Sequence, residues 1–149
     1  MSVNVVVDLR NTLGESPCWD PKRKMFLWVD IMEKKIFRLH TLNDELEEVQ
    51  LNQSAGCLSQ TNRGRTILGL QHGIHFFDWD TGILESVVDP ESHLEENRFN
   101  DGKCDPSGRF WAGTTDQTGV NGNGSLYVVH STLQITKKVE SVSTSNGLA

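Results

Sequence analysis

The sequence predicts an all-β fold of the β-propeller class, and three observations support this prediction. Short segments rich in Val, Ile, Phe and Trp alternate with turns of Gly, Asp and Pro, as strands and tight turns require. No window of about 11 residues or longer keeps its apolar residues at helical spacing. A unit with one fixed order of strands and turns recurs at roughly 40 to 50 residues, which is the length of a propeller blade.

Each repeated unit has a first strand containing a cysteine, a polar turn, an apolar strand and a further strand. The first strands contain Cys18, Cys57 and Cys104, which are 39 and 47 residues apart. The turn and the two strands after it are predicted at residues 20–24, 25–29 and 35–39, then 60–64, 66–70 and 74–77, then 105–108, 109–112 and 125–129. Because the cysteines recur once per unit and form no CxxC pair, they mark the period and do not indicate a disulfide framework or a zinc site.

One polar segment, residues 42–49 (LNDELEEV), could be read as a helix. It falls where a blade turns toward its outer strand, so a strand or loop is expected there. A β-sandwich with turns at roughly 8- to 12-residue intervals is the alternative architecture for the same strands.

The composition excludes several classes of function. The chain has 149 residues and a net charge of −6, from 14 Lys and Arg against 20 Asp and Glu. An acidic chain is poorly suited to neutralise phosphates, so no nucleic-acid partner is expected. The N-terminal residues show neither the pattern of a signal peptide nor the roughly 20 apolar residues of a membrane span, so no membrane partner is expected. The cysteines favour a reducing cytoplasm.

The length holds only about three units, whereas a closed propeller needs at least about four blades. The chain also stops at residues 145–149, where the sequence predicts an inner strand. We therefore expect residues 1–149 to be the N-terminal half of a single propeller domain whose C-terminal half is missing.

Most familiar catalytic templates are absent: the sequence has no GxSxG, HExxH or P-loop motif. Residues 78–82 (DWDTG) begin like a calcium loop, but the glycine stands one position early, so a hairpin turn is predicted. Two other segments are candidates for chemistry, with an exposed loop glutamate and a solvated loop as their respective structural alternatives. Glu15 stands near the start of an inner strand that would line the central channel, where a cation would relieve its charge. Residues 97–103 (NRFNDGK) gather hydrogen-bonding side chains around one Phe.

Four motifs in one order make the chain resemble the gluconolactonase, regucalcin and luciferin-regenerating enzyme family of six-bladed propellers. They are GESPxW at residues 14–19, FLWVDI at 26–31, RFNDGKxDPSGRFWAGT at 98–114 and SNGLA at 145–149. The resemblance implies a metal-binding role for Glu15 and Asn146, and contact with a sugar lactone for Arg98 and Asn100.

The same resemblance marks what this chain lacks. The family's further metal ligand, an Asp that also serves proton transfer, lies beyond the present 149 residues, so no catalytic residue is assigned. Some members carry a substrate-contacting Glu shortly after the AGT motif, where this chain has Asp116, Gln117 and Thr118. Residues 3–8 would form a strand that completes the last blade of the full ring.

The predicted function is metal-dependent opening of a small sugar lactone to its hydroxy acid, in a chain that truncation is expected to impair. Carboxylate and amide oxygens suit Ca²⁺, Mg²⁺ or Mn²⁺, and Zn²⁺ also accepts oxygen ligands. The alternative is a non-catalytic metal-binding or interaction module, a half-propeller that self-associates through exposed strand edges. Luciferin regeneration, or another activity on the same scaffold, is a third reading.

Overall fold

The structure, a computed structural model, describes residues 2–119 and 122–149. Every regular secondary-structure element in these residues is a β-strand. Twelve strands form three four-stranded antiparallel sheets, each of which follows the chain without a crossover. The strands are β1 Gly14–Asp20, β2 Met25–Asp30, β3 Lys35–His40, β4 Glu45–Gln50, β5 Ala55–Gln60, β6 Thr66–Leu70, β7 Gly73–Phe77, β8 Leu84–Val88, β9 Asn97–Cys104, β10 Phe110–Asp116, β11 Gly124–Val129 and β12 Ile135–Val142. The predicted all-β class and the repeated unit are confirmed, one unit per sheet.

An aspartate begins a tight turn in each sheet, after the first strand in the first and third sheets and after the third strand in the second. The Asp20 carboxylate accepts the backbone N–H groups of residues 22 and 23 at 2.9 and 3.0 Å. Asp78 binds the N–H groups of residues 80 and 81, and Asp105 binds those of residues 107 and 109. Because a short carboxylate caps the turn that follows it, the predicted turns at 20–24, 78–82 and 105–108 all form.

The three sheets pack face to face in chain order. One apolar cluster, with Leu27, Val29 and Leu68 at its centre, lies between the first and second sheets. A second cluster, around Phe76, Phe99 and Tyr127, lies between the second and third sheets. Alternate residues of each strand enter one cluster or the other, as the two-residue period of a strand requires.

The first strands of the sheets, β1, β5 and β9, are the inner strands: β1 contacts β5, and β5 contacts β9. Each inner strand contains one of the three cysteines, and all three cysteines are free. Each also carries a β-bulge where its pairing with the second strand shifts register: at Ser16 and Pro17, at Gly56 and at Asn100. A bulge bends the strand and redirects its side chains, so it determines which side chains lie at the inner edge of the sheet.

Two sequence-based boundaries need correction, and the expectation for residues 42–49 is confirmed. Those residues form a turn and most of the edge strand β4, where Glu47 pairs with Arg38 of β3. The polar run at 97–103 is most of β9 and extends that inner strand well before Cys104. Residues 3–8 form no strand, and Val7 instead packs on the aromatic cluster of Trp28.

The buried His75 is expected to make the fold sensitive to acid. Its side chain is 8% exposed, and its Nδ1 has no hydrogen-bond partner among the described residues. Burial lowers the pKa of His75 below the usual 6.5, and the nearby Gly73 backbone and Asp89 carboxylate oppose this only in part. Near pH 6.5 the His75 imidazole therefore takes up a proton in the unfolded chain but stays neutral in the folded chain.

We expect the free energy of unfolding to fall as the pH drops below about 6.5, by up to about 1.4 kcal/mol per pH unit for one proton. His75→Phe removes this dependence. Urea unfolding at pH 7.5 and 5.5 measures it, with the exposed His93→Gln as the matched control. An equal pH dependence in all three proteins would contradict the assignment.

Candidate functional site

Glu15 lies on β1, opposite Val29 and directly before the bulge. Ser16, the first bulge residue, has a φ of 55° and is 8% exposed. Its Oγ accepts the backbone N–H of Leu58 at 2.8 Å, on the neighbouring inner strand β5. Since a non-glycine residue in the left-handed region is costly, this bond to the next sheet explains how the bulge is held.

A second anchor holds the chain just before Glu15. The buried Asp30 carboxylate accepts the backbone N–H groups of Thr12 at 2.7 Å and Leu13 at 3.1 Å. Burial acts to raise the pKa of Asp30, but hydrogen bonds from the backbone of Glu33, Thr12 and Leu13 outweigh it and lower that pKa. The Glu15 side chain itself is exposed. The two anchors thus present a free-standing carboxylate at the inner edge of the first sheet.

Arg98 and Asn100 lie on β9 and bind each other. The half-buried Arg98 donates from Nη1 to Asn100 Oδ1 at 2.8 Å and to the Phe99 carbonyl at 2.9 Å. Arg98 forms no ion pair within residues 2–119 and 122–149, and burial lowers the pKa of its guanidinium. An anionic or strongly polar ligand would therefore relieve an uncompensated cation.

Asn146 lies in the segment that follows β12 and is exposed. Its Oδ1 accepts the N–H of Gly147 at 2.9 Å. The preceding residue, Ser145, is buried, and its carbonyl accepts the Asn100 side-chain amide at 2.9 Å. This bond brings the SNG motif against the RFND motif, although they lie 45 residues apart in the chain.

The structure joins two of the four predicted site residues directly and brings a third close through its neighbour Ser145. Arg98, Asn100 and the backbone next to Asn146 form one hydrogen-bonded chain, whereas no hydrogen bond or ion pair of the described residues connects Glu15 to it. The inner strands β1, β5 and β9 nevertheless lie side by side. Outside positions 1, 120 and 121, no group of three or more His, Cys, Asp or Glu side chains is placed to hold a metal ion.

A buried carboxylate behind the site was not predicted from the sequence. Glu91, 6% exposed, accepts hydrogen bonds from Asn97 at 2.8 Å, Tyr127 at 2.9 Å and Thr114 at 3.0 Å. Burial, followed by the bond to Glu91, raises the pKa of Tyr127. The cluster fixes the start of β9, next to Arg98. A Glu in a polar turn gives no local signal of burial, because its three partners come from three separate strands, β9, β10 and β11.

The region after the AGT motif is also built from polar contacts. Asp116 is buried, and its Oδ1 accepts the N–H of Thr118 at 2.9 Å and its hydroxyl at 2.6 Å. The carboxylate therefore closes the turn after β10, which is a structural role at the position where some relatives are expected to carry a Glu.

Ser16→Ala should lower the free energy of unfolding by about 1–3 kcal/mol, because the buried N–H of Leu58 loses its acceptor. Ser16→Gly should cost less, since glycine relieves the left-handed backbone. Chemical denaturation measures both, and Ser107→Ala on an exposed turn is the control. A Ser16→Ala protein as stable as that control would disprove the anchor.

No helix in the described part of the chain has the length and apolar character to cross a membrane.

Solved structures share this architecture. A calcium-binding regucalcin from Agrobacterium tumefaciens superposes with a TM-score of 0.85 at 29% identity, over 92% of this chain and 46% of that one. A luciferin-regenerating enzyme gives a TM-score of 0.83 at 26% identity, over 92% and 48% of the two chains. The predicted β-propeller class is therefore confirmed.

The sequence has equally clear relatives. It is 32% identical to the 6-deoxy-6-sulfogluconolactonase of Pseudomonas putida over 148 residues and 31% identical to regucalcin of Danio rerio over 150 residues. Each comparison covers 99% of this chain and 51% and 50% of the relatives, so the chain spans about half their length. The family model described as SMP-30/Gluconolactonase/LRE-like region matches residues 13–149, and the chain belongs to this family.

Proposed function

We propose that this chain supplies half of a metal-dependent lactonase site, which opens a sugar lactone to its hydroxy acid. The observation that carries the proposal is the hydrogen bond from Asn100 to the Ser145 carbonyl, since it brings two of the predicted motifs together. Relatives named as lactonases support the reaction class. The three free cysteines are consistent with a reducing cytoplasm as its location.

Glu15 and Asn146 would be the chain's metal ligands. Their carboxylate and amide oxygens fit a hard divalent cation such as Ca²⁺, Mg²⁺ or Mn²⁺, and Zn²⁺ is also compatible. When bound, such a cation polarises a lactone carbonyl and lowers the pKa of a bound water. Two protein oxygens leave most of the coordination to water or to further ligands, so we expect weak binding by this chain.

Arg98 would bind and orient the lactone. Its half-buried guanidinium uses Nη1 for Phe99 and Asn100, while its other N–H groups can donate to hydroxyl or carbonyl oxygens. Orientation of this kind lowers the barrier by placing the reacting carbonyl, without Arg98 itself taking a proton. We assign no proton acceptor to these 149 residues.

We expect the chain to release acid from gluconolactone faster than the spontaneous reaction when Mn²⁺, Ca²⁺, Mg²⁺ or Zn²⁺ is added. Glu15→Gln should reduce this metal-dependent rate at least about tenfold, because the neutral amide is a weaker ligand than the carboxylate. Titration of the released acid measures it, and Glu33→Gln on the neighbouring turn is the control. Spontaneous rates with all four ions would reject catalysis by this chain.

One feature favours the second candidate, a non-catalytic interaction module. The face of the first sheet that points away from the second sheet carries a groove of about 610 Å³ lined by Trp19, Phe26 and Trp28. Trp19 is 47% exposed, and Val5 and Val6 beside it are 80% and 73% exposed. Exposed apolar surface of this kind is typical of interaction sites.

If the groove mediates self-association, the chain should sediment as a dimer or larger species at micromolar concentration. Trp19→Glu should shift it to monomer, because burying the new charge in an apolar contact is unfavourable. Sedimentation equilibrium measures this, with Leu42→Glu, on an exposed turn, as the matched control. A monomeric parent chain would exclude the association.

A further inference from the structure

We propose that Asn100 and Asp101 are positioning residues for Asn146, and that Asn100 couples Arg98 to the segment carrying that ligand. The resemblance assigns Asn100 to the substrate, and the structure gives it this additional task. The part of the proposal that concerns metal binding by Asn146 rests on the proposed function, whereas the positioning of the segment does not.

Asn100 uses both ends of its side-chain amide. Its Oδ1 accepts a hydrogen bond from Arg98 Nη1 at 2.8 Å, and its Nδ2 donates to the Ser145 carbonyl at 2.9 Å. A guanidinium can only donate and a carbonyl can only accept, so the orientation of the amide is determined by its two partners. Aspartate at this position would keep the acceptor for Arg98 and lose the donor for Ser145.

The backbone just before Asn146 is held at further points. The Ser145 N–H donates to the Thr114 carbonyl at 3.3 Å. The Ser145 side chain lies against Gly113, where an added Cβ would overlap the serine hydroxyl. Glycine is therefore required in β10 for the segment to approach this closely. Ser145 is consequently fixed in backbone and side chain, and Asn146 follows it directly.

The backbone after Asn146 is held by Asp101. Its Oδ2 accepts the N–H of Leu148 at 2.8 Å, while its Oδ1 accepts the N–H of Gly102 at 2.7 Å. Both carboxylate oxygens are thus engaged, one on β9 itself and one on the docked segment. Asn146 lies between two fastened residues, and its own side chain stays exposed.

The contacts between β9 and the docked segment are asymmetric, because side chains on β9 bind backbone groups on the segment. Residues 97–103 contribute an amide and a carboxylate that bind only backbone groups of the docked segment, so they leave the side chain of Asn146 exposed, with the neighbouring Gly147 N–H on its Oδ1. A ligand that binds Arg98 acts on Asn100, whose other end holds the residue before Asn146. Lactone binding and the order of the metal-ligand segment are therefore linked, and linkage of this kind is reciprocal.

Residue-resolved amide hydrogen exchange on the whole chain tests the positioning. Asn100→Asp should speed exchange at Ser145 and Leu148 roughly five- to tenfold, the effect of losing one hydrogen bond, while amides in β5–β8 keep their rates. Asn100→Ala should do the same. Asn43→Asp, an equivalent substitution on an exposed turn, is the matched control. Asp101→Asn provides a second variant and should release Leu148 more than Ser145.

Exchange rates within twofold of the parent at Ser145 and Leu148 in both Asn100 variants and in Asp101→Asn would overturn the proposal. Mn²⁺ titration then separates it from the proposed function. Paramagnetic broadening of the Asn146 side-chain amide should begin at a lower Mn²⁺ concentration in the parent than in Asn100→Asp. The ratio of the two Mn²⁺ concentrations should roughly equal the ratio of the two exchange rates. Faster exchange in the variants without broadening of Asn146 in the parent would support positioning and reject metal binding.

Discussion

The unpaired inner edge of each sheet is the constraint on which the rest of this structure depends. An edge strand exposes backbone N–H and C=O groups that need partners, and three such edges meet here. Each inner strand has a bulge, and a residue of that bulge contacts the backbone of the next inner strand or, for β9, of the segment that follows β12. These contacts are Ser16 with Leu58, Gly56 with Phe99, and Asn100 with Ser145.

The three bulges solve the same problem with different chemistry. Ser16 supplies a hydroxyl acceptor, and Asn100 supplies an amide donor. Gly56 supplies no side chain, because an added Cβ would overlap the carbonyl oxygen of Phe99. All three bulges adjoin predicted site residues: Ser16 follows Glu15, Asn100 is itself one of them, and Gly56 packs against the backbone of Phe99 and Asn100. Polar side chains at the inner edge therefore hold the sheets together and shape the candidate site at once.

The period of the sequence predicted the strands well because blade formation is local. The strand at 66–70 depends on residues close in the chain. So do the turns that begin at Asp20, Asp78 and Asp105. The bulges could not be predicted, since a register shift depends on which backbone approaches from the next sheet. Burial of Glu91 was missed for the same reason: its three hydrogen-bond donors come from separate strands. Motif resemblance indicated Arg98 and Asn100, but the bond to Ser145 appears only in three dimensions.

The hydrogen-bonding capacity of Asn100 limits how a lactone can be recognised. One of its two N–H groups is occupied by Ser145 and its oxygen by Arg98, so a ligand can use the second N–H without breaking either bond. A ligand that required the Asn100 oxygen as acceptor would have to displace the guanidinium, leaving a half-buried cation with one partner fewer. Recognition through Arg98 N–H groups avoids that cost, because each new bond compensates the charge. The arrangement therefore favours ligands rich in acceptor oxygens over ligands that approach as donors.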